Sequence, residues 1–155
     1  MLRVPVIALT AALLVTDIEV HSAGAAAARG DEQVHKLLMI ALDNIHRGIC
    51  ENNKPCAPTT AEEKANPPIT IAEARLVIGR AALTAAAEHC GLDWRTRNFS
   101  PMMAYWRRTM KKNERQMTLI GLLHGVTQQF GKQGFKAACT DEMRQNVDRQ
   151  LTFRP

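Results

Sequence analysis

Aromatic residues are scarce in this sequence, with two Trp, one Tyr and four Phe among 155 residues, and β-branched runs are nearly missing. With alanine abundant in their place, little is left to build a sheet, and helix is favoured throughout. Chemical signatures are absent too: there is no G-x-S-x-G, H-E-x-x-H, Walker-type loop or dinucleotide fingerprint. Nor is there a C-x-x-C, an H-x-x-x-H, a His-rich tract or a C-x-x-C-H. The chain is therefore expected to hold no metal and no cofactor. No apolar run reaches the about 20 residues that cross a bilayer, because Asp17 and Glu19 interrupt the only candidate.

That candidate is MLRVPVIALTAALLV, one cation at Arg3 followed by apolar residues, and behind it TDIEVHSAGAAAARG offers small-residue cleavage choices at Ala25, Ala27 or Ala28. The layout is that of a secretory signal peptide over residues 1–25. The mature chain, residues 26–155, is expected to be one exported helical domain, periplasmic or extracellular, without a transmembrane segment. Four cysteines, Cys50, Cys56, Cys90 and Cys139, then read as two disulfides. Cys50 is near enough to Cys56 to bridge, which leaves Cys90 with Cys139.

Four amphipathic segments follow, implying an all-α, disulfide-stabilised bundle. Asp31 is expected to cap a helix that buries Val34, Leu37, Leu38, Ala41, Ile45 and Ile49 and runs to about Gly48. Residues 51–68, with four prolines, read as a long loop. Thr70 and Glu73 form a capping box at the start of the second helix, Gly91 ends it, and the alanines between permit close packing. Ser100 and Pro101 predict the N-cap and first position of a third helix reaching Phe130. Its seam is Met103, Trp106, Met110, Asn113, Met117, Ile120 and His124. Phe135, Cys139, Met143, Val147 and Leu151 space out a fourth helix. The third helix, if straight, would be about 45 Å long, too long for Cys90 and Cys139 to meet. Either the helix bends, at Asn113 or between Gly121 and Gly125, or the cysteines pair in another combination; the bend is the expectation.

Charge is concentrated. Beyond residue 25 there are 19 basic and 13 acidic residues, a net +6, and the segment from Arg95 to Arg115 alone carries seven cations against Glu114. On one continuous helix Arg107, Lys111 and Arg115 would stack at four-residue steps beside Arg108 and Lys112. With Arg95 and Arg97 from the preceding loop, these predict a cationic face for an anionic envelope component or an acidic protein. Nucleic acid would suit the charge but not export. Tyr105 is the candidate exposed aromatic, and Trp106 is expected in the core. The plain alternative is a solvated helix face.

Other constellations are weaker. The loop at residues 89–99 crowds Asp93, Trp94, Arg95, Arg97 and Asn98 at a helix junction, where Trp94 can plug the bundle and Asp93 can pair with an arginine. His35 and Met39 stand one turn apart, but a core role explains Met as well as copper would. For general acid–base chemistry only Glu88, His89 and Asp93 offer themselves, and neighbours on a helix point apart. The expectation is thus a non-enzymatic binding protein. Its rivals are a small envelope hydrolase or lyase with a pocket between helices two and three, and a stress chaperone or inhibitor.

Overall fold

Side-chain caps at Thr60, Thr70, Asn113 and Thr140 start four of the six α-helices among the described residues. The structure, a computed structural model, describes the backbone from Ile18 and the side chains from Gly30 to Pro155. The helices are α1 (Ile18–Asp43), α2 (Ala61–Ala65), α3 (Ile71–His89), α4 (Ser100–Arg108), α5 (Glu114–Gly134) and α6 (Asp141–Leu151), with no strand among the described residues. The expected signal peptide at residues 1–25 lies outside the residues described at side-chain level, and residues 1–17 lie outside the description altogether.

The first helix differs from expectation at both ends. It runs through Asp31 instead of starting there, so that carboxylate caps nothing and pairs with Arg75 of α3. It stops at Asp43; a short 3-10 turn (Ile45–Arg47) follows, and Ile49 is exposed. Val34, Leu38, Ala41 and Ile45 are buried as their spacing requires. Within the proline-rich stretch Thr60 and Glu63 form a capping box that starts α2, a helix the composition concealed.

Local chemistry sets α3 as the sequence implies. Thr70 accepts from the Glu73 amide while Glu73 accepts from the Thr70 amide. At the far end Gly91 adopts φ 68°, and the Leu92 and Gly91 amides donate to Ala87 and Glu88 in a Schellman motif. Its small residues bring α5 close: a methyl group built on Gly131 would lie 2.8 Å from the Ala85 Cβ. Both disulfides form as paired from the sequence, with Cα atoms 4.9 Å apart for Cys50–Cys56 and 5.2 Å for Cys90–Cys139.

The third expected helix is two helices, broken between Arg108 and Glu114. Ser100 is not its cap, because its backbone is already helical and follows a π-helical turn from Arg95 to Phe99. Asp93 caps that turn by accepting from the Thr96 amide. Pro101 has no N–H for the carbonyl of Arg97, and this carbonyl accepts from Phe153 instead, at 2.8 Å. A proline thereby ties the C-terminal segment to the start of α4. The last helix also begins later than its fourfold spacing suggests, at Asp141, capped by Thr140; Phe135 stacks on His89 and Cys139 lies in the connection.

Candidate anion-binding corner

Asn113 makes the corner. Its side chain accepts from the Gln116 amide and its own amide donates to the Gln116 side chain, so a fresh helix starts where a continuous one would have passed. Arg108 ends α4, and Lys111 turns the chain in the left-handed region at φ 54°. The break displaces the expected seam. Trp106, Met117, Ile120 and His124 are buried, whereas Met110 is 40% exposed and Asn113 serves as a cap.

It also dismantles the five-cation stripe, because Arg107 and Arg108 belong to one helix and Arg115 to another. Four of the seven candidate cations have carboxylate partners. Arg107 reaches across the break to Glu114, both exposed. Arg115 holds Glu63 through two nitrogens and also donates to the Ala57 carbonyl. Lys112 is bonded at 2.6 Å to Glu73, the capping residue of α3, with both side chains largely buried. Arg97 binds the carboxylate and the carbonyl of Asp148 in α6.

The carboxylates register this pairing. Hydrogen bonding from Arg115 holds Glu63 below the usual carboxylate range, and hydrogen bonding from Arg107 does the same for Glu114. Burial pushes Glu73 up, but Lys112 and the Thr70 amide together outweigh it and leave the carboxyl lowered.

Three cations remain. Arg95 lies over the Trp94 ring, 5.3 Å from its centroid. Arg108 and Lys111 are exposed and have no hydrogen-bond or ion-pair partner among the described residues. Tyr105, expected at the surface, is half-buried between Trp106 and Phe153. A shallow polar depression of about 490 Å³ lined by Cys50, Glu51, Asn52, Asn53 and Glu114 lies on the acidic side of the corner.

The residues proposed for acid–base work do not form a site together. Glu88 accepts from Gln128 and Lys132, Asp93 caps the π-helical turn, and His89 stacks on Phe135 with its Nε2 buried and without a hydrogen-bond partner among the described residues. Between α3 and α5 lies a polar cluster that sequence spacing did not reveal. Buried Asn98 donates to the Thr84 hydroxyl and the Arg80 carbonyl, accepts from Arg80 Nε, and Thr84 pairs with His124 Nε2 at 3.1 Å. Arg80 spans outward to the last carbonyls of α6, Gln150 and Leu151. His124 is thus the satisfied core histidine its place on the seam implied. Compared with protein-family models, curated proteins and solved structures, the chain matches none.

Proposed function

We propose that the protein is an exported, non-enzymatic binding protein that holds an anionic partner at the α4–α5 corner through Arg108 and Lys111. The supporting observation is the backbone of Lys111. A non-glycine residue in the left-handed region costs about 1 kcal/mol, and glycine would occupy the position without that cost. Asn52 and Asn53 also have positive φ, but asparagine tolerates it. A lysine at this position, exposed and without a carboxylate partner among the described residues, places a charge in the turn at a cost in stability. Arg108 adds the second charge, and the paired cations hold the corner in shape.

Replacing Lys111 by glycine separates the two effects. Lys111→Gly is expected to gain about 1 kcal/mol in urea unfolding, while eluting from immobilised polyphosphate at clearly lower salt than the natural chain. Elution at unchanged salt would defeat the reading.

A further inference from the structure

We infer that the partner of this corner is an anionic lipid surface, an inference that rests on the reading of the corner as an anion site. Residues 107–111 are five consecutive exposed positions, from the end of α4 into the turn before α5. A small anion needs donors that converge on it; an exposed turn suits a plane. Within it Met110 is 40% exposed, one of four large apolar side chains so exposed among the described residues. Arg108 and Lys111 flank it. An apolar side chain between two unpaired cations matches the boundary of an acidic bilayer, where a thioether enters the headgroup region and the cations meet phosphates.

Two further features point the same way. Phe153 packs on Tyr105, one helical turn before Arg108, and the next residue, Arg154, is exposed. The turn itself has no carboxylate, and of those beside it Glu114 is held by Arg107 and Glu73 by Lys112. The other exposed apolar pair, Ile40 and Phe130, borders a groove of about 460 Å³ between α1 and α5, and nothing there carries charge.

The test uses the full chain with two probes: sedimentation with phosphatidylcholine vesicles with or without phosphatidylglycerol, and retention on immobilised polyphosphate. The expected result is binding to the acidic vesicles only. Met110→Ser should weaken vesicle binding about fivefold and leave polyphosphate retention unchanged, with an unaltered helical spectrum because the residue is exposed. Arg108→Gln with Lys111→Gln should weaken both, by about fivefold for each cation. Retention on polyphosphate without vesicle binding, or vesicle binding indifferent to Met110→Ser, would overturn the lipid assignment and leave the anion site standing. Failure of both probes would remove the anion site and the lipid assignment together.

Discussion

Replacing Cys90 and Cys139 together by alanine is expected to destabilise the protein by about 4 kcal/mol. The bond closes a loop of sequence separation 49, whereas Cys50–Cys56 closes one of 6 and is expected to contribute about 2 kcal/mol. The loss should also have a location. The α6 helix meets α3 through buried Val147 and Leu151 and through Arg80, meets the π-helical turn through Arg97, and the bridge anchors the connection that leads into it. Without the bridge, the connection from Phe135 to Thr140 is free to open, and amide exchange should quicken first in α6 while the α3–α5 pair stays protected. Urea midpoints for the two double variants check the order. Equal losses, or a uniform rise in exchange, would show that chain closure is not what the long bridge supplies.

Acid should act on a different part of the core. Burial pushes His124 down to about 4, and the Arg80 charge adds to it. Unfolded, the imidazole titrates near 6.5. Below that value the unfolded chain takes up the proton first, so stability falls as pH drops from about 6.5 to about 4 and levels off beneath it. The full loss is roughly 3 kcal/mol. Glu63, Glu73 and Glu88 are all lowered, so their contributions disappear in the same direction but at more acidic pH. His124→Gln keeps a group able to bond Thr84 and removes the titration. In that variant the slope between pH 6.5 and 4.5 should flatten; a slope equal to that of the natural chain would place the acid sensitivity elsewhere.

Features fixed by neighbours in the chain were legible in the sequence. The Thr70–Glu73 box and the Gly91 stop need only a few residues to form. Two bridges followed from cysteine number, but a straight third helix would have kept Cys90 from Cys139, so the sequence left a choice between another pairing and a bend, with Asn113 one of two places for it. What escaped depends on distant partners. Arg115 meets Glu63 from 52 residues away, and Arg80 meets Leu151 across 71. A charge count along the chain cannot see such pairs, so it credited seven cations to one surface. Met110 escaped for a related reason: its spacing fits a seam only while the helix continues, and the cap at Asn113 ends that continuity. Asp31 looked like a cap because nothing in the sequence shows that a helix is already under way.

Anion capture depends on the exposed, unpaired cations of the corner, Arg108 and Lys111, and not on net charge. The most direct measurement compares two charge-matched double variants on immobilised polyphosphate over a salt gradient. Arg108→Gln with Lys111→Gln should elute far earlier than the natural chain, and Arg144→Gln with Arg149→Gln, two exposed cations of α6, close to it, because they lie outside the corner and their removal leaves no carboxylate there unpaired. Equal shifts for the two, or the larger shift for the second, would contradict the account: attraction would then follow net charge alone, and the corner would have no special part in it.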